Sequence, residues 1–243
     1  YIIIFFMFLA GINFSLHFHA MSGSIKTYFR DTEFLVYFLI IMSISSIILF
    51  SLSYQSNTFS DLTVRESLFG TIAMLTGTGY VLGDYELWPV FLQMILLTLM
   101  FIGGMGGSTT GGMKVIRVLL LAKYASLETR RMLHSRALLP VKIGKQLIKE
   151  DVVRNTLGFF LFFMSAFIIS AILLSTMGLD IESSIGAAAS AMGNIGPAFG
   201  QFGPTDNYAL LPNAGKWLLS FCMLLGRLEI FTVMVLFSKT YWK

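Results

Sequence analysis

Apolar residues run through this chain in long blocks. Five of them, at 1–14, 34–53, 89–122, 156–178 and 212–240, are long enough or nearly so to cross a bilayer or to end a crossing. A crossing helix requires about 20 such residues. The third block is interrupted. Between the second and third lies 58–88, and between the fourth and fifth lies 179–211. Each of these intervals holds a short helical pattern followed by glycines, and each is too short for another span with its two loops. The first block begins in mid-run at Tyr1, without the basic segment that precedes the apolar core of a secretory signal. Residues 1–14 therefore read as the end of a transmembrane helix, and the sequence as a piece of a longer chain.

Composition strengthens this pattern. Of 243 residues, 56% are hydrophobic and 12% charged, against about 25% charged in an ordinary soluble domain. A soluble reading is excluded. Mean hydropathy is +0.76. Cys222 is the only cysteine, which rules out an intrachain disulfide and any paired-cysteine metal or redox site.

The charges sort by side. Ten of the 17 lysines and arginines fall between Lys114 and Arg154; Lys26 and Arg30 lie between the first two blocks, and Lys239 and Lys243 close the chain. The two odd intervals hold Arg65 but also Asp61, Glu66, Asp84, Glu86, Asp180, Glu182 and Asp206. The positive-inside rule then makes 15–33, 114–154 and the C-terminus cytoplasmic, and the two odd intervals external. The external acids either concentrate cations or are simply solvated.

The chain also repeats itself. TIAMLTGTGY (71–80) matches AASAMGNIGP (188–197), with Gly79 opposite Gly196, and 87–104 matches 210–227, with Pro89 opposite Pro212 and Gly103 opposite Gly226. The second copy carries a six-residue insertion within FGQFGPTDNYA. The repeating unit is span, short helix, glycine segment, span, and such periodicity organises everything read afterwards.

Each odd interval fits a re-entrant pore loop, since non-helical backbone at membrane depth survives where it is buried in protein or lines a wet cavity. Helices are expected over Leu62–Leu75 and Ile181–Met192, entering from outside so that their negative C-terminal ends point at the midplane and favour a cation there. Just beyond come Thr76, Gly77, Thr78, Gly79 and Tyr80, and in the second copy Gly193, Asn194, Ile195, Gly196 and Pro197. Extended glycine segments can turn backbone carbonyls to an axis and replace the hydration shell of a potassium ion. Neither segment holds a carboxylate, which favours a monovalent ion over calcium. The bland alternative is a pair of tight turns; two aligned copies weigh against it.

The third block breaks at 103–114. Six glycines in ten residues (Gly103, Gly104, Gly106, Gly107, Gly111, Gly112), with Ser108, Thr109 and Thr110 among them, cannot hold a helix at about 1 kcal/mol each relative to alanine. The break falls about 14 residues, or roughly 21 Å of helix, beyond Pro89, below the glycine segment. A flexible polar loop there can block a permeation path and move aside; the alternative is a kink for close helix packing. A phosphate-binding loop needs Ser or Thr after its lysine, whereas Val115 follows Lys114. In the fifth block Arg227 and Glu229 are intramembrane ionisable residues and so functional candidates. Arg227 either holds the glycine loop through its carbonyls, repels cations, or forms a structural ion pair. An intramembrane protease would need a nucleophile facing a histidine; His17, His19 and His134 all fall in expected cytoplasmic loops, and no HExxH-type metal spacing exists.

Together SLFGTIAMLTGTGY, FIGGMGGSTTGGMK, SAMGNIGPAFG and GRLEIF, with INF at 12–14 and TE at 32–33, resemble the Trk/Ktr/HKT family of potassium transporters, most closely its TrkH-type bacterial members. The resemblance spans essentially the whole chain, and GGxxGSTxGGxK at 103–114 is its most specific part. It implies an all-α polytopic membrane fold of repeated helix–pore loop–helix units, four in one polypeptide around one pore. Here 1–14 would end the second unit, 15–32 would be a cytoplasmic loop, 33–123 the third unit with its second helix broken at 103–114, 124–153 a basic cytoplasmic loop, and 154–243 the fourth unit.

It further implies potassium held by filter carbonyls at Thr76, Gly77, Thr78, Gly79, Gly193, Asn194, Ile195 and Gly196. The stretch from Gly103 to Lys114 would be the intramembrane gate, with Arg227 the arginine beneath the filter. No organic cofactor is expected in this chain. A homodimer in the bacterial inner membrane is implied, with a cytoplasmic C-terminus and a nucleotide-binding regulatory ring of the TrkA type docking on 114–154 and the C-terminus, and no nucleic acid partner. A sodium or non-selective pore, or a non-conducting subunit, are the alternatives.

Overall fold

The structure is a computed structural model that describes residues 1–133, 140–144 and 146–228, with Val235 and Trp242. Helix α1 (Ile2–Ala10) ends at Gly11, the chain turns through 107°, and α2 (Phe14–Met21) follows, with Asn13 Oδ1 accepting the Ser15 amide at 2.8 Å. The expected span over 1–14 thus stops at Ala10. The expected loop 15–32 is itself largely helical, with α2 succeeded by α3 (Lys26–Arg30). The reason is local: Asn13 is a strong N-cap, and it restarts a helix that Gly11 has allowed to end.

Helix α4 (Thr32–Ser56) is capped by Asp31, whose Oδ1 accepts the Phe34 amide at 2.8 Å. It is one of two described helices long and apolar enough to cross a membrane; the other is α8 (Glu150–Thr176), and the bent α1–α2 pair brings the count to three. Between α4 and α6 (Val90–Phe101) lies the short helix α5 (Asp61–Thr76); between α8 and α10 (Asn213–Leu228) lies α9 (Ile181–Gly193). The expected third span divides into α6, of 12 residues, a loop, and α7 (Val115–Leu133). Helix α7 runs ten residues into the stretch expected as a basic loop at 124–153, and α8 begins at Glu150 rather than after it. Between them, β1 (Lys142–Ile143) and β2 (Gln146–Leu147) pair as an antiparallel hairpin. The fifth block is described as helix as far as Leu228, so Glu229 and Lys239 lie outside the described residues, as do His134 and Lys243.

The two short helices are the buried centre. On α5 the turns from Phe69 to Thr76 are buried apart from Gly70, and on α9 every residue from Gly186 to Gly193 is buried. Helix α5 is enclosed by α1, α4 and α6, and α9 by α6, α8 and α10. Alanines 187, 188, 189 and 191 let neighbouring backbones close on α9, as small residues do in membrane helix packing, where burial brings little hydrophobic gain over lipid. The long helices keep large apolar residues on their outer faces, such as Leu39, Phe50, Leu161 and Ile172. These are the faces that lipid would cover.

Candidate ion pathway

The two short helices end in the same way. The Thr78 amide donates to the Ala73 carbonyl at 3.1 Å and the Gly77 amide to Met74 at 3.3 Å; the Ile195 amide donates to Ser190 at 3.0 Å and Asn194 to Ala191 at 3.1 Å. Both are Schellman closures with a left-handed residue at the turn: Gly77 at φ 62° and Asn194 at φ 57°. Thr76 and Gly193 are therefore the last residues of helices, not the first of extended segments. Beyond them Gly79 and Gly196 also have positive φ, 67° and 116°. The segments are irregular backbone bent by left-handed residues, and neither forms a regular strand.

The closures face each other. A Cβ on Gly77 would lie 3.1 Å from the Gly193 carbonyl oxygen and 3.6 Å from that of Asn194. A Cβ on Gly79 would overlap the Ile195 carbonyl oxygen. Two negative helix ends and several carbonyls thus converge on one small region, an arrangement that attracts a cation and needs no carboxylate. The Asn194 side chain turns away, donating through Nδ2 to the Met223 carbonyl at 3.1 Å, and Gly226 of α10 leaves room for the Met192 carbonyl and for that amide. The alignment of Gly226 with Gly103 has this physical content: each is a point where backbone approaches backbone.

Several hydroxyls hold the segments. Thr76 Oγ1 donates to the Ile72 carbonyl at 2.6 Å, Thr78 Oγ1 meets the Met7 sulfur at 2.9 Å, and Ser190 Oγ accepts the Gly196 amide at 3.0 Å. Tyr208 donates its hydroxyl to the Gly196 carbonyl at 2.9 Å, and Tyr85 donates to Ala198 at 2.6 Å. Tyr208 is the repeat counterpart of Tyr85, 123 residues on like Pro212 from Pro89, and it stacks on Phe202 with ring centroids 4.5 Å apart. Burial pushes its hydroxyl up to about 12, so it stays a donor. The sequence signal for these two tyrosines was their shared place in the repeat, in DYELWP at 84–89 and NYALLP at 207–212, which the sequence reading did not single out.

The external acids are not one cluster. Asp61 pairs with Arg65 at 2.9 Å and also accepts from the Tyr1 hydroxyl. Asp180 caps α9, and hydrogen bonds from Ser183 hold its carboxyl below the usual range. Glu86 crosses to the other unit: its Oε1 accepts the Gly200 amide at 2.7 Å. Burial raises its carboxyl, the Gly200 amide opposes that, and Asp84, Glu182 and Asp206 add to it.

Residues 102–114 form an ordered loop pressed against the helix ends, where a loose segment was expected. Gly103 and Met113 are joined by the Gly103 amide at 2.8 Å, Met113 returns a bond to Phe101 at 3.2 Å, and Val115 donates to Gly104 at 3.0 Å. Thr110 Oγ1 accepts the Gly104 amide at 2.9 Å and lies 2.9 Å from Ser108 Oγ. Lys114 folds back, donating to the Thr110 carbonyl and, at 2.9 Å, to Thr110 Oγ1. A Cβ on Gly111 would sit 2.6 Å from the Gly193 carbonyl oxygen, so the loop abuts the end of α9 directly. The side chain of Thr109 reaches the Ala10 carbonyl at 3.2 Å, the Met105 amide reaches Gly11 at 2.9 Å and the Phe14 amide reaches Gly107 at 3.1 Å. Gly107, at φ 73°, packs against the Asn13 side chain. The INF motif is thus the corner that receives the loop. Arg227 Nη1 donates to the Thr109 carbonyl at 2.6 Å, the first of the roles open to it from sequence. His17 bonds the Tyr28 hydroxyl and the Leu9 carbonyl, at 2.7 and 3.0 Å.

Known proteins resemble this chain in sequence and in fold. The chain is 35% identical to the Trk system potassium uptake protein TrkH of Escherichia coli (strain K12) over 247 residues, covering all of this chain and 50% of that protein. It is 32% identical to the Trk system potassium uptake protein TrkI of Halomonas elongata, covering 98% of this chain and 48% of that one. The crystal structure of the potassium transporter TrkH from Vibrio parahaemolyticus superposes with a TM-score of 0.90 at 33% identity, over 99% of this chain and 52% of that one. The chain spans about half the length of the relatives it matches. The sequence profile of the TrkH cation transport proteins matches residues 1–243. With that match over its whole length, and with the paired short helices and glycine loop in place, this chain belongs to the TrkH family of cation transport proteins, which are membrane transporters and not enzymes.

Proposed function

We propose that this chain supplies two of the pore-forming units of a potassium uptake protein. Potassium would pass along the backbone carbonyls at 76–79 and 193–196, and the 103–114 loop would gate the path with Arg227 holding it. The observation that carries this reading is the pair of facing Schellman closures with the glycine loop pressed against them. Opposed helix ends concentrate negative potential without a carboxylate, which suits a dehydrated monovalent ion whose shell the carbonyls replace. The relatives' names, Trk system potassium uptake proteins, favour potassium over sodium. Relatives also extend beyond this chain by about as much again, which is room for the two further units a closed filter needs.

The unit would work in the bacterial inner membrane with its C-terminus in the cytoplasm, as the charge distribution suggests. It would pair as a homodimer and respond to a cytoplasmic nucleotide-binding ring through the basic 114–154 stretch. The nucleotide would sit on that ring and not on this chain. The test is rubidium flux from liposomes holding the complete polypeptide that contains this chain, competed with potassium or sodium. Flux suppressed by potassium but not by sodium supports the reading. Equal competition supports a non-selective pore, and no flux supports a non-conducting subunit.

A further inference from the structure

Glu33 is a carboxylate with 9% exposure near the start of α4, in a position no part of the conduction pathway uses. Its Oε1 accepts the Gly106 amide at 2.7 Å and the Ile116 amide at 3.0 Å. The first belongs to the proximal arm of the glycine loop. The second belongs to the first turn of α7, where amides have no partner within the helix and the helix dipole favours an anion. A Cβ on Gly106 would lie 3.7 Å from both carboxylate oxygens, so the carboxylate is in close contact with that backbone. One side chain thus ties the loop to the helix that follows it, at a point of the loop other than the Thr109 carbonyl that Arg227 holds.

We propose that Glu33 is a positioning residue that latches the 103–114 loop in its blocking position, a proposal that rests on the loop being the gate. For the loop to leave the ends of α5 and α9, Gly106 must move relative to Ile116. That movement strips a buried carboxylate of its amide partners, and bonds to a charged acceptor are the strong kind. The latch is specific in shape as well as charge. A glutamine oxygen at the same position accepts both amides; an aspartate, one methylene shorter, keeps the charge and loses the reach.

The test uses the complete polypeptide in liposomes, with two readouts. One is basal rubidium flux. The other is the rate at which a cysteine introduced at Ser108 reacts with a water-soluble thiol reagent, over the background of the same polypeptide with Ser108 intact; Cys222 of this chain is buried. Glu33→Ala and Glu33→Asp are expected to raise both by about tenfold, the worth of one charged hydrogen bond, with the potassium-to-sodium ratio unchanged, while Glu33→Gln, which keeps an acceptor in place without the charge, raises them less than Glu33→Asp does. Should Glu33→Ala fail to fold, the contrast between Glu33→Asp and Glu33→Gln decides alone. Wild-type labelling in all the Glu33 variants that fold, with labelling raised by Arg227→Ala, overturns the proposal. Flux unmoved by Arg227→Ala and by a shortened loop would instead count against the gate itself, and the labelling rates would still report whether Glu33 holds the loop.

Discussion

Arg227 and Thr109 lie 118 residues apart in the chain and are joined by one hydrogen bond of 2.6 Å, from the guanidinium Nη1 to a backbone carbonyl. The contact links α10 of one repeat to the tip of the glycine loop of the other. Because the acceptor is main chain, the bond depends on the loop's shape and not on the identity of Thr109. Arg227→Ala is therefore expected to raise basal rubidium flux several-fold, whereas Thr109→Ser leaves it unchanged. Arg227→Lys should fall between them, since an ammonium lacks the planar fork that reaches past its own stem. Liposome flux at fixed protein density measures all three.

Gly79 and Gly196 occupy equivalent places in the repeat, yet the structure separates them. An added Cβ at Gly79 would collide with the Ile195 carbonyl oxygen, whereas at Gly196 nothing lies within 4 Å. Both have positive φ, 67° and 116°, so alanine is strained at either. Gly79→Ala is expected to displace the facing backbone and abolish potassium preference. Gly196→Ala should cost stability of about 1–3 kcal/mol from backbone strain alone and keep part of the selectivity. Competition of rubidium flux by sodium, alongside thermal unfolding of both variants, distinguishes the two.

Tyr208 donates to the Gly196 carbonyl at 2.9 Å. Tyr208→Phe keeps the stacking on Phe202 and removes only that bond. The expected result is a folded protein with weakened discrimination against sodium, because one carbonyl is freed to turn. With its hydroxyl pushed up to about 12 by burial, above the free value of about 10, the neutral donor is the favoured folded form. Its contribution is complete below the free value and is lost as pH rises through the folded one. Selectivity should therefore be flat from neutral pH to about pH 9 in the wild type, and a fall within that range would contradict this role.

Glu86 carries a carboxyl raised by burial and by the neighbouring Asp84, Glu182 and Asp206. A folded value above the unfolded one means that stability is greatest below the unfolded value, about 4.3, and declines as pH rises through the folded one. Glu86→Gln retains an oxygen for the Gly200 amide and removes the charge. It is expected to raise the unfolding temperature at pH 7 and to make no difference near about pH 4, where Glu86 is itself protonated. Thermal scans at the two pH values, at constant ionic strength, check the sign.

Much of this was legible along the chain. The short helices were expected at Leu62–Leu75 and Ile181–Met192 and are found at Asp61–Thr76 and Ile181–Gly193. Capping residues and glycines are local signals, and Ser60, Asp180 and Gly77 act on their own neighbours. The glycine break was legible for the same reason, since helix propensity is a property of the residue. Its order was not. The bonds that fasten it come from Gly11, Phe14, Glu33 and Arg227, all far away in sequence, and no local pattern announces such partners. Glu33 and Asn13 stood inside the short motifs TE and INF, but their purpose was invisible there.

The sequence by itself determined that this is a membrane protein, that it holds a repeated unit, and where each unit leaves the helix. Blocks of apolar residues, sorted charges and glycine positions act through solvent transfer and backbone preference, which are local quantities. Only the tertiary structure decided that the two repeats meet carbonyl to carbonyl, that Tyr208 secures Gly196, and that the glycine-rich stretch is a loop fastened by both Glu33 and Arg227. Those outcomes depend on the register in which helices pack, and in a bilayer that register is set by close backbone approach and interhelical hydrogen bonds, which composition does not specify.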